Sequence, residues 1–304
     1  MTPEGETGYP GGVKMTCNQT SLLRQGVNFC LHLRWHYQVG ILSGGYLLGG
    51  LISGIHQAGD FLFHFLVIHL LLFGGATVYN SFWDKDDGPV GGLQNPPELA
   101  GWTRPASMVL QYLGLILSIP MGITYIAFYL MSMLLFWMYS HPSMRWKGHP
   151  WLSMVAIGIS TGINSVIFGF LAAGSPFTFH MLIPALGVAL IMLSVYPISQ
   201  IYQIREDRRR GDRTFVAAYG PKSVHSFFLT AFFPGVAFTT AGFYHFVPGL
   251  TLVFAFIAFT AGILLSIYIR SLKGDESEYS RVMKMKYFTS SIFVLFLAGA
   301  IFFG

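Results

Sequence analysis

Long apolar runs separated by short polar ones dominate the chain. A helix needs about 20 mostly apolar residues to cross the hydrocarbon core of a bilayer, and the pattern predicts nine such segments. They are centred on residues 36–55, 61–80, 106–121, 123–139, 151–173, 178–202, 222–243, 249–269 and 287–303. The third and fourth are separated only by residues 118–122, whose Pro and Gly predict a tight hairpin. The pattern therefore predicts an all-α membrane protein with nine transmembrane helices.

The composition supports this class. Hydrophobic residues make up 53% of the 304 residues and charged residues only 10%, whereas a soluble domain carries roughly 25% charged residues. Cys17 and Cys30 both precede the first span and have no metal-ligand or disulfide spacing. We expect the first twenty residues to be a frayed cytoplasmic end without a cleavable signal peptide. Residues 1–34 would form a cytoplasmic N-terminal tail, and residues 35–304 one transmembrane domain of nine helices.

The basic residues predict the orientation of the spans. Lys and Arg collect on the cytoplasmic side of membrane proteins, and with nine spans and a cytoplasmic N-terminus all 18 basic residues fall on that side. They are Lys14, Arg24, Arg34, Lys85, Arg104, Arg145, Lys147, Arg205, Arg208, Arg209, Arg210, Arg213, Lys222, Arg270, Lys273, Arg281, Lys284 and Lys286. The C-terminus then lies outside, and the net charge of +5 reflects topology rather than nucleic-acid binding.

An acidic motif follows the second span. Residues 80–88 read NSFWDKDDG, and Asn80, Asp84 and Asp87 are spaced by four and three, which places them on one face of a helix. Acids beside an apolar span are costly, so they indicate a functional site.

A second polar face follows the sixth span on the same predicted side. If that helix continues past the membrane, Tyr196, Gln200, Gln203 and Asp207 recur at steps of four, three and four. Carboxylates supply the oxygen ligands that Mg²⁺ prefers, and the ion bridges to phosphate oxygens while nearby Arg and Lys hold the remaining phosphate charge. The two faces together predict a site that binds a diphosphate through Mg²⁺.

These motifs resemble those of the UbiA superfamily of intramembrane prenyltransferases. Residues 80–88 look like its first aspartate-rich motif, DRRRGDRT at 207–214 is similar to its second, and YSHPSMRWKGHP at 139–150 is similar to the segment after its fourth helix. The resemblance implies nine helices around a central cavity.

The resemblance also implies residue roles. The metal ligands would be Asn80, Asp84, Asp86, Asp87 and Asp207, with Asp84 and Asp207 the catalytic pair and Asp86 replacing Asp87 if the helix unwinds at Lys85. The diphosphate would contact Arg145, Lys147 and Arg208, although the basic run around Arg208 is equally explained by membrane topology. The chain departs from the family pattern at Ser81, Gly88 and Gln203, where Asp is usual.

The implied function is Mg²⁺-dependent transfer of a prenyl group from an allylic diphosphate to a lipophilic acceptor, in a bacterial inner membrane. Residues 88–98 contain no Lys or Arg, which predicts a neutral acceptor because a buried carboxylate needs a partner. One alternative is a terpene cyclase of the same superfamily, which needs no acceptor. A transporter is the other, but its charges would lie near the middle of the spans.

The topology generates a first prediction. In a variant with Cys17→Ser and Cys30→Ser, a cysteine introduced at Ser277 should react only with thiol reagents that reach the cytoplasm. One introduced at His245 should react only with reagents applied from the opposite side. Labelling of both positions from the same side would refute the nine-span arrangement.

Overall fold

The computed structural model describes residues 21–85, 88–274 and 276–303, and most of these residues are helical. The helices are α1 (Leu22–Leu33), α2 (residues 35–53), α3 (Ala58–Asp84), α4 (Thr103–Leu117), α5 (Ile123–Ser140), α6 (Pro150–Ala172), α7 (Phe179–Gln200), α8 (Ile204–Arg210), α9 (Phe215–Tyr219), α10 (Lys222–Phe246), α11 (Pro248–Arg270) and α12 (Tyr279–Phe303).

Seven of these helices are long and apolar enough to cross a membrane: α3, α5, α6, α7, α10, α11 and α12. The predicted first and third spans correspond to α2 and α4, which lie outside that set, and α4 has only 15 residues. The all-α multi-pass membrane class is therefore confirmed. The count of nine spans and the orientation of the termini stay predictions.

Apolar side chains on the outer surface show what surrounds the bundle. On α11, Leu252 is 83% and Phe256 is 74% exposed, and on α12 Leu295 is 69% exposed. Contiguous exposure of large apolar side chains marks an interaction surface or a membrane. Lipid contact is the physical reason why α11 and α12 keep apolar residues on both faces.

Glycines permit a close crossing between α2 and α6. A Cβ atom at Gly169 would lie 1.9 Å from the Tyr46 carbonyl oxygen, and one at Gly49 would lie 2.1 Å from the Val166 carbonyl oxygen. Small residues are enriched where transmembrane helices approach closely. This crossing fixes α2 against the centre of the bundle.

Three helices contain a wider, π-helical turn: Gln38–Leu42 in α2, Val67–Phe73 in α3 and Gly158–Ile163 in α6. Such turns occur frequently at functional sites. The first presents the buried Gln38, whose side-chain nitrogen donates a 2.7 Å hydrogen bond to the Thr77 hydroxyl of α3. Gln38 and Thr77 both line the cavity described below.

Several predicted boundaries hold. The hairpin between the third and fourth predicted spans is confirmed, because α4 ends at Leu117, Ile119–Met121 form a 3-10 turn and Gly122 adopts a φ of 85° before α5. The condition under which Asp86 would replace Asp87, unwinding of the helix at Lys85, is met: α3 ends at Asp84 and Lys85 has a left-handed φ of 48°.

Other boundaries differ from the prediction. Residues 22–33, which lie in the predicted N-terminal tail beyond the end expected to be frayed, form α1, which is capped by the Ser21 hydroxyl. The sixth helix does not continue to residue 207, because a turn at residues 201–203 separates α7 from α8. The last helix begins at Tyr279 rather than at residue 287, so Lys284 and Lys286 are helical.

The α2–α6 crossing generates a second prediction. Gly169→Ala would place a methyl group against backbone atoms that cannot rotate away, and overpacking of this kind costs about 1–3 kcal/mol. We expect a lower apparent Tm in detergent. Gly299→Ala is the matched control, because no atom lies within 4 Å of a Cβ atom there; equal Tm values for the two variants would contradict the close crossing.

Candidate active site

A cavity of about 280 Å³ lies where the ends of α2, α3, α5, α7, α8 and α12 meet. Its charged and amide-bearing lining residues are Arg34, Gln38, Asn80, Asp84, Lys147, Gln200, Gln203, Glu206, Asp207, Arg210, Asp212 and Lys286. Of the residues predicted from sequence, Asn80, Asp84, Lys147 and Asp207 thus face one space. Asp86 and Asp87 lie outside the described residues.

The first motif presents Asp84 at the last position of α3. The Lys147 ammonium donates a hydrogen bond to the Asp84 carboxylate, and both side chains are about nine-tenths buried. Asn80, one turn earlier, donates a 3.2 Å hydrogen bond to the Ser140 hydroxyl of α5. An ion pair thus joins the end of α3 to the loop after α5.

The second motif presents Asp207 on α8, which ends at Arg210 and is capped by Gly211 with a φ of 76°. The Thr214 hydroxyl, which caps α9, donates a 2.8 Å hydrogen bond to the Asp207 carboxylate. Tyr196, Gln200 and Gln203 line the same cavity. The predicted common face is therefore present, although the chain reaches it through a turn rather than through one continuous helix.

Asp212 is a site residue that the sequence analysis missed. The Arg145 guanidinium donates two 2.7 Å hydrogen bonds, from Nε and Nη2, to the two carboxylate oxygens of Asp212. A Cβ atom at Gly148 would lie 2.7 Å from Asp212 Oδ1, so only Gly allows this approach. Asp212 is five residues from Asp207 and off the helical face, which is why periodicity did not indicate it.

Arg145 and Arg208, both predicted to contact diphosphate, are not among the residues that line the cavity. Arg145 is engaged by Asp212, and Arg208 is exposed. Arg210 lines the cavity instead, donating to the Glu206 carboxylate at 2.5 Å and to the Lys85 carbonyl oxygen at 3.3 Å.

Burial shifts the ionisation of two groups. It raises the pKa of Asp207 from 3.8 to about 6, against the effect of the Thr214 hydrogen bond. It lowers the pKa of Lys147 from 10.5 to about 8, and nearby Asp212 opposes that shift. Both groups still carry their charges at neutral pH.

The donor set fits Mg²⁺. Within the described part of the chain, no three His, Cys, Asp or Glu side chains form a group that could hold a metal by themselves. Mg²⁺, however, is usually bound through one or two carboxylates together with water and substrate phosphates. Asp84 and Asp207, facing one cavity, supply such a pair.

Backbone strain is concentrated around this cavity. Across residues 21–85, 88–274 and 276–303, three residues other than Gly have a positive φ: Arg34, Lys85 and Arg145. Left-handed conformations of such residues persist only when their surroundings fix them, and they cluster at functional sites. Arg34 lines the cavity, Lys85 follows Asp84, and Arg145 holds Asp212.

The fold and the cavity describe a multi-pass helical membrane protein in which acids and cations gather at the ends of the helices. The model of the UbiA prenyltransferase family matches residues 41–288. This chain therefore belongs to that family and is a prenyltransferase, which confirms the resemblance drawn from its motifs.

Known relatives agree with this assignment. The chain is 27% identical over 245 residues to a digeranylgeranylglyceryl phosphate synthase of Sulfolobus acidocaldarius, covering 79% of this chain and 86% of the relative. A UbiA homologue of Archaeoglobus fulgidus bound to GPP and Mg²⁺ superposes with a TM-score of 0.71 at 13% identity, covering 90% of this chain and 99% of the homologue. A digeranylgeranylglyceryl phosphate synthase structure gives 0.63 at 19% identity, covering 91% and 99%.

The positions of the arginines generate a third prediction. Because Arg210 lines the cavity and Arg208 does not, Arg210→Gln should raise KM for the prenyl diphosphate about tenfold, the effect of a lost hydrogen bond to a charged group. Arg208→Gln should change KM much less, and the exposed Arg209→Gln serves as control. A larger effect at Arg208 would restore the sequence-based assignment.

Proposed function

We propose that the protein catalyses Mg²⁺-dependent transfer of a prenyl group from an allylic diphosphate to a lipophilic acceptor within the membrane. The observation that carries this proposal is the convergence of Asp84 and Asp207, from distant motifs, on one cavity that also contains Lys147 and Arg210. Relatives whose structures hold a prenyl diphosphate with Mg²⁺ support it.

A second, mostly apolar cavity of about 180 Å³ adjoins the first. The two share the wall residues Ile41, Leu42, Thr161, Met192, Val195 and Lys286. Further walls come from α2, α6 and α7 and from α10, α11 and α12, which contribute Phe232, Phe254 and Phe293. This cavity offers an apolar place for a prenyl chain whose diphosphate lies at the polar end.

The polar residues of the cavity would have two roles, metal binding and diphosphate binding. Asp84 and Asp207, with Asn80 and one of Asp86 or Asp87, would hold Mg²⁺. When bound, the metal supplies electrostatic stabilisation of the departing diphosphate. Lys147 exchanges its carboxylate partner for a phosphate oxygen, and Arg210 neutralises further phosphate charge.

The bond changes follow from this arrangement. The bond between C1 of the prenyl group and the bridging oxygen breaks, and its electron pair leaves with diphosphate. Tyr139 and Tyr196 line the cavity with their hydroxyl oxygens 2.9 Å apart, and aromatic residues beside a desolvated cation stabilise it. The acceptor atom then bonds to C1 and releases its proton.

The prediction of a neutral acceptor assumed that no cation lies beside residues 88–98, because these residues include no Lys or Arg. The structure shows that this assumption does not hold. A Cβ atom at Gly91 would lie 2.3 Å from Nη1 of Arg34, so a cation from another part of the chain reaches this loop. A lipophilic acceptor remains the proposal, but the loop composition no longer argues for neutrality. The bacterial inner membrane stays a prediction.

The proposal generates a fourth prediction. Purified protein with Mg²⁺ and labelled allylic diphosphates should release diphosphate and form a longer lipid only when a membrane lipid extract is added. EDTA should stop the reaction, and added Mg²⁺ should restore it. A product formed from the diphosphate alone would indicate a cyclase, and efficient prenylation of 4-hydroxybenzoate would contradict the lipid acceptor.

Variants localise the reaction in the same assay. Asp84→Asn and Asp207→Asn should each reduce transfer to about 1% of the wild-type rate or less, because loss even of an outer-shell partner of a metal ligand costs about 10- to 100-fold. Asp60→Asn is the matched control, since Asp60 is exposed at the opposite end of α3. Full activity of either site variant would refute the site, provided that Tm values show all proteins to be folded.

A further inference from the structure

The short helix α1 exposes apolar side chains and buries polar ones. Leu23, Val27, Cys30 and Leu31 lie on one face of this helix, because they recur at steps of four, three and one, and all four are exposed. Leu23 is 81% and Val27 is 52% exposed. A helix on a water-soluble protein turns its apolar stripe toward the core instead. These four residues are the outer face of α1.

The opposite face of α1 is mostly polar and is bound to the segment that precedes α4. His32 on this face is almost completely buried. Three side-chain hydrogen bonds hold α1 against residues 97–102. They run from His32 Nε2 to the Pro97 carbonyl oxygen at 2.8 Å, from Asn28 to the Glu98 carbonyl oxygen at 3.0 Å, and from Trp102 Nε1 to the Gln25 side-chain oxygen at 2.7 Å. These bonds set the rotation of α1, so the outer face points away from the protein.

The surroundings of the outer face identify a lipid bilayer as its partner. Its apolar surface continues onto α2, where Trp35 and Val39 are also exposed. Trp102, which packs against α1, is 40% exposed, and partly exposed Trp side chains collect at membrane–water interfaces. Arg24 lies exposed at the edge of the face, where a cation can contact lipid headgroups. This combination is typical of a helix that lies in the plane of a membrane surface.

The same helix ends at the active-site cavity. Arg34, the residue after α1, lines the cavity and donates a 2.8 Å hydrogen bond to the Ser81 hydroxyl of α3. The loop that α1 holds also reaches the cavity, at Val90. Two backbone hydrogen bonds of 2.8 Å join Val90 and Leu93 within that loop. The position of α1 therefore affects groups on two sides of the polar end of the cavity.

We infer that α1 is an interfacial anchor: its outer face is inserted into the lipid leaflet at the active-site end of the bundle, and this insertion holds Arg34 and residues 88–102 at the cavity. The helix precedes residue 41, where the match to the family model begins, so the anchor is an addition to the matched domain. The inference concerns a surface of the protein and does not depend on which reaction the cavity supports.

The fifth prediction uses Cys30 as a probe of the outer face. A nitroxide is attached to Cys30 in a Cys17→Ser variant in phosphatidylethanolamine–phosphatidylglycerol liposomes, and its collisions with oxygen and with a water-soluble nickel complex are measured by electron paramagnetic resonance. Oxygen should relax this label more than nickel does, because apolar oxygen concentrates in the bilayer. The reference labels, placed in a variant without Cys17 and Cys30, are Phe256→Cys on the lipid-facing side of α11 and Ser277→Cys in an exposed loop.

Two results would overturn the inference. A ratio equal to that of the Ser277→Cys label would place the outer face in water. Shielding of the Cys30 label from both reagents would show that protein covers the face, either a second copy of the chain or residues 1–20. The measurement needs no substrate, so its outcome stays separate from success or failure of the proposed prenyl transfer.

Charged variants test the link between the anchor and the cavity. Val27→Glu combined with Leu31→Glu should move the Cys30 label into water and release residues 88–102. Peptides that contain Val90 and Leu93 should then exchange their amide hydrogens about tenfold faster, as expected when contacts worth about 1.4 kcal/mol are lost. Leu252→Glu makes the same change on the exposed face of α11 and should leave this exchange as in the wild type. Unchanged exchange with the label in water, or equal acceleration in Leu252→Glu, would overturn the link.

Discussion

Ion pairs between distant loops hold the polar end of this bundle together. Asp84 pairs with Lys147, and Arg145, two residues before that lysine, forms a two-pronged pair with Asp212. The short segment between α5 and α6 therefore binds both the end of α3 and the turn after α8. A backbone hydrogen bond of 2.8 Å from Arg213 to the Gly148 carbonyl closes the same junction. These contacts hold the two acidic motifs, which are far apart in the sequence, next to each other.

The same pairing prepares the cavity for a highly charged ligand. A partly buried carboxylate is stabilised by an opposite charge, and removing one partner leaves the other uncompensated. Lys147 fills this role for Asp84. A metal diphosphate would bring both positive and negative charge, so it can replace both halves of the ion pair at once. Neither a free metal ion nor a free diphosphate offers Asp84 and Lys147 new partners together.

The sequence was most informative where functional side chains recur with the period of a helix. Spacing by three and four residues brought Asn80 with Asp84 and Tyr196 with Gln200 to the cavity, and hydropathy indicated the membrane helices. It was least informative where a turn decides the geometry. Asp212 reaches Arg145 only because Gly211 reverses the chain and Gly148 has no side chain, and neither event has a periodic signature.

Lys286 shows a different limit of sequence analysis. Basic residues near helix ends ordinarily report topology, and the net excess of Lys and Arg fits that explanation. The side chain enters the cavity because α12 begins two turns earlier than hydropathy indicates, which places residue 286 inside the bundle rather than before it. Where a polar helical extension precedes an apolar span, hydropathy shows the membrane segment but misses the helix start.

The left-handed conformations of Arg34, Lys85 and Arg145 have a consequence for how this chain can change during evolution. At each position an ordinary substitution would keep the unfavourable backbone geometry while losing the cation, whereas Gly would relax the backbone and still lose the cation. No single replacement other than Lys, Arg or, less well, His preserves the charge. At Arg34, which lines the cavity, and at Arg145, which holds Asp212, a replacement therefore has to satisfy the backbone conformation and the charge together.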